Sequence, residues 1–456
     1  MKKIIAVTAG LMLAGTIAAS ASAAEITFSG DARARYNYED NYNGLAGGAG
    51  IHSTKVPVNQ SDSFWNSRIR LQFQINTKGG AYAVGRFRLA DGTWEGNTGS
   101  TVNPPGGGGT GGSVAYAATN TKSNIWVDVG YVGVPMGPVV LEGGLGYDDF
   151  TNDFLRAGTT DNFTFLRAKY ATDQTTLYAF YEKLRVDPLL GDATYTDGLN
   201  NVNQYGIDLI QKFNSDWSMN GTVLYRDDQQ TAYDYSGAAA DILVNGKLPN
   251  DIKIWAELAY KQADYQAGGY YNNAVNSAKE GWSNKSTTGD DGWGGYVAAK
   301  FPLGNGVAIS AMAGASLNGY TASPDFGGGK QAEYAPFVML SQPTTKDLGF
   351  LGTGVLIGSP DGDAYFVNVA PSVQASDRLT LTLEGTYMNA DYGRGAYLGN
   401  NRYVNGINSL NIWEIGGIAQ YKVTDGATIS AMLGYLNIED ADNNPLGFGV
   451  SLDLKF

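Results

Sequence analysis

The stretch Leu446-Gly447-Phe448-Gly449-Val450-Ser451-Leu452-Asp453-Leu454-Lys455-Phe456 alternates without a break. Leu446, Phe448, Val450, Leu452, Leu454 and Phe456 form one side, and Gly447, Gly449, Ser451, Asp453 and Lys455 the other. A period of two is that of a β-strand, and a wholly apolar face opposite a charged one predicts that the two faces meet different media. The length suits a tilted strand crossing a bilayer, which takes about 9–11 residues. A half-buried strand of a soluble sandwich looks the same in isolation, so recurrence along the chain has to decide.

Recurrence becomes visible once the short turns are located. Tight polar or Gly/Pro turns fall near Thr77–Gly80, Pro135–Pro138, Ala171–Gln174, Asn214–Asp216, Lys247–Asn250, Leu303–Gly306, Ala375–Arg378 and Thr424–Gly426, each between two runs that alternate wholly or in part. Between these hairpins lie longer segments rich in Gly, Asn, Asp and Tyr, near 39–62, 92–121, 148–161, 187–201, 227–238, 265–290, 321–360, 392–408 and 439–444. Short turns at one end and long loops at the other are the layout of a bacterial transmembrane barrel. The expected fold is therefore all-β, a transmembrane antiparallel β-barrel of about 16–18 strands, with short periplasmic turns and long extracellular loops; a lumen of that size is too wide for side chains to fill. The strand ahead of Ala375 is the hardest to place, because the loop before it holds Phe337–Leu340 and Phe350–Ile357, which would pair or plug.

The first residues set the compartment. Lys2 and Lys3 precede an apolar run from Ile4 to Ala19, and small residues follow at Ala21-Ser22-Ala23-Ala24, so residues 1–23 read as a cleaved secretory signal and 24–456 as a single barrel domain. The alternative, a membrane anchor, is disfavoured by the short run and by Gly10 and Gly15 within it. With no cysteine, disulfide scaffolds, thiolate metal sites and cysteine nucleophiles are excluded. After the signal no apolar run is long enough for a spanning helix, and a membrane protein without such helices is a closed barrel. The formal charge of −13 becomes −15 once Lys2 and Lys3 are removed, which argues against nucleic acid as a partner.

Alternation assigns faces. If Phe28, Ala32, Ala34 and Tyr36 meet lipid, then Asp31, Arg33 and Arg35 point inward; if Ile69, Leu71, Phe73 and Ile75 meet lipid, then Arg68 and Arg70 point inward as well; and Phe87 and Leu89 send Arg86 and Arg88 inward. Arginine on a lipid face near the midplane costs roughly 2–4 kcal/mol, so within a membrane barrel the inward choice is forced. Arg33, Arg35, Arg68, Arg70, Arg86 and Arg88 are thus expected to form a basic wall lining the lumen. Outside a barrel they would be ordinary surface arginines.

The opposite sign comes from Gly146-Tyr-Asp-Asp-Phe-Thr-Asn-Asp-Phe, which carries Asp148, Asp149 and Asp153, with Asp161 closing the segment. This passage resembles the third loop of Gram-negative general porins in its place in strand order, its acidic and aromatic composition and the arginine strands before it. It lacks the usual Pro-Glu-Phe-Gly-Gly sequence, and Arg156 departs from a purely acidic loop. The resemblance implies a constriction loop whose carboxylates face the basic wall; as a bare surface loop the segment would only be solvated. The terminal Phe456 resembles the signal that barrel-insertion machinery reads in outer-membrane proteins. The layout from Glu25-Ile-Thr-Phe-Ser-Gly to Phe456 is also similar to porins of metal-reducing deltaproteobacteria. From the porin resemblance come a Gram-negative outer-membrane location, contact with outer-membrane lipid and lipopolysaccharide, and a homotrimer.

Aromatic residues including Trp65, Tyr82, Trp126, Tyr131, Trp217, Trp293, Trp413 and Tyr421 mostly lie towards strand ends, where interfacial belts are expected. A sugar-binding slide requires inward aromatics at successive heights, and by parity Trp255, between Lys253 and Glu257, is the best single candidate for solute stacking. Catalytic chemistry finds little support, since His52 is the only histidine and no metal pair or Ser-His-acid set is apparent. Asp440-Ala-Asp442-Asn-Asn444 opens like a calcium loop, but Pro445 stands in place of the needed Gly and Ser451 in place of the bidentate Glu. No metal and no cofactor is expected. The sequence reads as a passive channel for small hydrophilic solutes and ions, with two rivals: a channel selective for sugars or oxyanions, and a structural or adhesive barrel plugged by residues 321–360.

Overall fold

The computed structural model describes residues 24–40, 61–94, 125–146, 152, 154–155, 163–185, 202–228, 236–263, 291–320, 322, 326, 336–340, 357–358, 362–391, 396–397, 403–404, 409–439 and 444–456. The segment read as a signal, 1–23, lies outside them.

The strands are β1 (Ala24–Asp40), β2 (Ser61–Thr77), β3 (Tyr82–Trp94), β4 (Ile125–Met136), β5 (Val139–Gly146), β6 (Phe163–Ala171), β7 (Thr175–Arg185), β8 (Val202–Lys212), β9 (Trp217–Asp228) and β10 (Gly237–Lys247). They continue with β11 (Lys253–Lys261), β12 (Gly292–Gly304), β13 (Val307–Leu317), β14 (Ala364–Gln374), β15 (Leu379–Asp391), β16 (Ala396–Tyr397), β17 (Tyr403–Val404), β18 (Ser409–Thr424), β19 (Ala427–Ile438) and β20 (Leu446–Lys455). All but β16 and β17 belong to one 18-stranded sheet, and those two form a ladder of their own inside a stretch expected to be loop. Each barrel strand pairs antiparallel with its neighbours in the sequence, and β1 also pairs β20, from Asp31 opposite Lys455 to Asp40 opposite Leu446. The sheet is therefore closed, and no edge is left to template further pairing. The strand expected ahead of Ala375 is β14.

All eight expected turns join neighbouring strands, and local chemistry explains them. Asn305 and Gly306 both have positive φ, 52° and 76°, the pair of left-handed residues that matches a two-residue hairpin to the strand twist. Asn214 Oδ1 accepts from the amides of Asp216 (2.8 Å) and Trp217 (2.9 Å), and Thr172 Oγ1 accepts from Thr175 (3.0 Å), so short polar side chains satisfy amides that the ladder leaves over.

At the seam, Gly30 donates to the carbonyl of Phe456 (2.7 Å) and Phe456 donates back to Gly30 (3.0 Å). The Phe456 ring lies across Gly30, where a Cβ would come within 2.6 Å of Phe456 Cζ. The outer face carries the apolar side chains of the alternation: Leu383 and Ile415 are each 66% exposed, and Phe28, Ile125, Val223, Leu433 and Leu452 are exposed with them. An apolar belt running from strand to strand around a closed sheet is the surface that lipid covers. The polar members of the same strands turn inward, where Asp128, Glu142, Glu182, Asp208, Asp241, Glu257, Glu384 and Glu414 are all buried.

Candidate pore-lining site

The six expected arginines share the inner face of three adjacent strands. Arg33 of β1 stands opposite Arg68 of β2, Arg70 of β2 opposite both Asp31 of β1 and Arg88 of β3, and Arg86 opposite Gln72. Arg35 and Arg68 are buried, and Arg33, Arg70, Arg86 and Arg88 are half-buried. Like charges this close on one face repel, and the strands answer with carboxylates on the same face. Asp31 accepts from Arg70 Nε (2.7 Å) and Arg68 Nη2 (3.3 Å). Asp128 of β4 accepts from Arg86 Nε (2.9 Å) on one oxygen and from Arg88 Nε on the other. Further on, Glu142 of β5 pairs with Arg167 of β6.

Sequence reasoning missed Asp128, and a break in register is the reason. The pairing of β3 with β4 shifts between Arg86 and Phe87, so that Asp128 falls between the two guanidinium groups. Exposed Ile125 and Val127 on one side of the shift and Val132 and Val134 on the other follow opposite parity, and the two-residue rule changes phase between them. The Val-Asp-Val triplet at 127–129, a lone acid after three strands of arginines, is the signal that was there to read.

Of the acidic segment after β5, Asp148, Asp149, Asp153 and Asp161 lie outside the described residues. Asn152, Phe154 and Leu155 are described, and they are buried inside the barrel. The amide of Asn152 donates to Asp241 Oδ2 on β10 (2.8 Å), and those of Phe154 (3.1 Å) and Leu155 (3.2 Å) donate to Glu257 Oε1 on β11. These three residues thus lie inward, anchored by carboxylates of the wall that accept their backbone amides.

A second inward segment uses the same device. Phe337, Val338, Met339 and Leu340, between β13 and β14, are each at most 3% exposed. The amides of Val338, Met339 (2.8 Å) and Leu340 (2.7 Å) all donate to the carboxylate of Glu414 on β18, and Asn368 of β14 donates to the Pro336 carbonyl (3.0 Å). Gly416 and Gly434, which face each other across β18 and β19, form a notch for these side chains: a Cβ at either would come within 2.5 Å of Val338 or Met339. Between the two segments Phe154 stacks on Tyr320 (5.3 Å between centroids) and meets Phe326 edge-on (4.7 Å), while Phe337 approaches Phe326 and Phe366. Of the two expected hydrophobic stretches in 321–360, the first therefore packs against the inner wall; Ile357, at the end of the second, is buried and accepts from the Ala322 amide (2.8 Å). Trp255, on β11, is half-buried and packs against this apolar cluster.

Among the described residues no group of three or more His, Cys, Asp or Glu side chains is placed to hold a metal ion. His52 lies outside them.

No family model matches the sequence, and no curated protein does. Solved structures match across nearly the whole chain. OccAB1 of Acinetobacter baumannii shares 14% identity over 94% of this chain and 96% of its own, with a TM-score of 0.55. OpdQ of Pseudomonas aeruginosa shares 9% over 94% and 98% (TM-score 0.52), and the outer membrane protein OprD of the same organism 12% over 94% and 93% (TM-score 0.51). At these identities the likeness is one of fold. Closed and belted with apolar side chains, the chain shares the fold of these proteins, a transmembrane antiparallel β-barrel.

Proposed function

We propose that the chain is a porin, a water-filled channel for passive diffusion of small hydrophilic solutes and ions, with the arginine wall of β1–β3 on one side of the passage and the inward segment after β5 on the other. The observation that carries this reading is the inner face itself: cations on three consecutive strands, four of them held in place by Asp31 and Asp128, and all six outnumbering those two acids. Low-dielectric walls strengthen the field of such a row, and ion preference then follows the local charges more than the net charge of the chain. Charges of this density would be poor filling for a sealed lumen, since each has to be hydrated or paired.

Two measurements test the proposal. Liposomes carrying the protein are expected to swell in graded sugars at rates that fall with solute size; no swelling with any sugar would instead identify a plugged barrel. Replacing Arg33, Arg68 and Arg86 together by Gln is expected to move the planar-bilayer reversal potential towards cations, and a potential that stays put would overturn the arginine wall as the selectivity element.

A further inference from the structure

Tyr82 and Tyr131, expected in an interfacial belt, are turned to the lumen. Tyr82 of β3 donates through its hydroxyl to Glu142, and Arg167 donates to the same carboxylate. The Tyr131 ring of β4 meets Tyr82 edge-on (6.3 Å). Arg167 lies 5.6 Å from the centroids of both Tyr131 and Tyr178, and Lys169 lies 5.6 Å from Tyr178.

Register gives these rings a regular spacing. One row of pairings runs Tyr82, Gly133, Glu142, Arg167 across β3 to β6. Tyr131 stands two residues above that row and Tyr178, opposite Lys169, two residues below it. Successive tyrosines are thus about 7 Å apart along the strand direction. Gly133 sets the attitude of the middle ring, because a Cβ there would fall 2.3 Å from Tyr82 Cζ, so the ring lies across a position that has no side chain. All three tyrosines are half-buried.

We infer that this row is a binding track for pyranose sugars. A pyranose presents apolar C–H faces and a rim of hydroxyls, and it is held by aromatic surface together with a few fixed donors and acceptors. The tyrosines supply the surface, and Arg167, held in place by buried Glu142, and Lys169 supply donors. The charge of Arg167 is matched by Glu142, and both cations lie beside rings, so the row pulls weakly on anions and suits a neutral, hydroxyl-rich solute.

The inference rests on the channel reading, and one experiment keeps the two apart. Single-channel current in planar bilayers is recorded while maltotriose is added, for the wild-type protein and for Tyr131→Ala and Tyr178→Ala, each first shown to keep heat-modifiable gel mobility. Saturable block by maltotriose is expected, with a half-blocking concentration raised roughly tenfold in each variant. Current that falls only linearly with sugar, as viscosity alone would cause, or saturable block unchanged in both variants, overturns the track. Sodium benzoate is run in parallel, and block by benzoate without block by maltotriose would reassign the row to aromatic anions and overturn the inference. A protein that passes no current at all would defeat the channel reading instead.

Discussion

A fully buried carboxylate is tolerated only where cations or hydrogen-bond donors repay its lost hydration, and Asp128 meets that condition through Arg86 and Arg88. The converse holds for the arginines, whose mutual repulsion is relieved by the acid between them. Asp128→Asn keeps the size of the side chain and removes its charge. It is expected to cost roughly 3–5 kcal/mol in stability, the usual price of breaking a buried pair, read by urea titration in detergent micelles or bilayers. The reversal potential should move towards anions, opposite to the arginine replacements. A variant as stable and as selective as the wild type would show that the guanidinium groups do not depend on this carboxylate. At this scale the sequence was partly legible. Parity assigned six arginines to one face, but Asp128 sits where the pairing slips by a residue, and an alternation rule read along one strand contains no information about its partner's register.

Among the elements, the strands were the legible part. A strand exposed to lipid on one side and to water on the other has to alternate, and all 18 barrel strands follow from that pattern and from the turns between them. The rule weakens where the inner face is dry. Ile412, Met432, Leu436 and Ile438 are apolar and point inward on β18 and β19, because the segment 336–340 and its neighbours cover them. Glycines at 416 and 434 look like gaps in a pattern when read along the sequence, and their meaning appears only when Val338 and Met339 are seated against them. The docking of 336–340 can be loosened from two sides. Glu414→Ala leaves three buried amides without their acceptor, at about 1–3 kcal/mol for each that stays unsatisfied, and Gly434→Val fills the notch. Both are expected to make the segment susceptible to added protease and to raise single-channel conductance. If both variants fold and neither conductance nor protease pattern changes, the segment does not narrow the passage.

For the whole molecule the decisive step is closure, because a sheet becomes a pore only when its first and last strands meet, and the β1–β20 seam is the pairing with the largest sequence separation. The seam is tight at Gly30. A methyl group there would stand 2.5 Å from the Arg70 carbonyl oxygen and 2.6 Å from the Phe456 ring, so one of two backbones or the ring has to move. Gly385, on β15, offers the matched control, since a methyl group would meet nothing within 4 Å. Gly30→Ala is expected to lose about 1–3 kcal/mol through overcrowding, whereas Gly385→Ala should be neutral or gain up to about 1 kcal/mol by stiffening the unfolded chain. The comparison is made by refolding each protein into detergent and following the fraction that keeps the compact mobility of the closed barrel on an unheated gel, as a function of urea. Equal midpoints for the two variants would show that the Phe456 ring and the Arg70 carbonyl yield without cost, and that closure does not depend on the space left at Gly30.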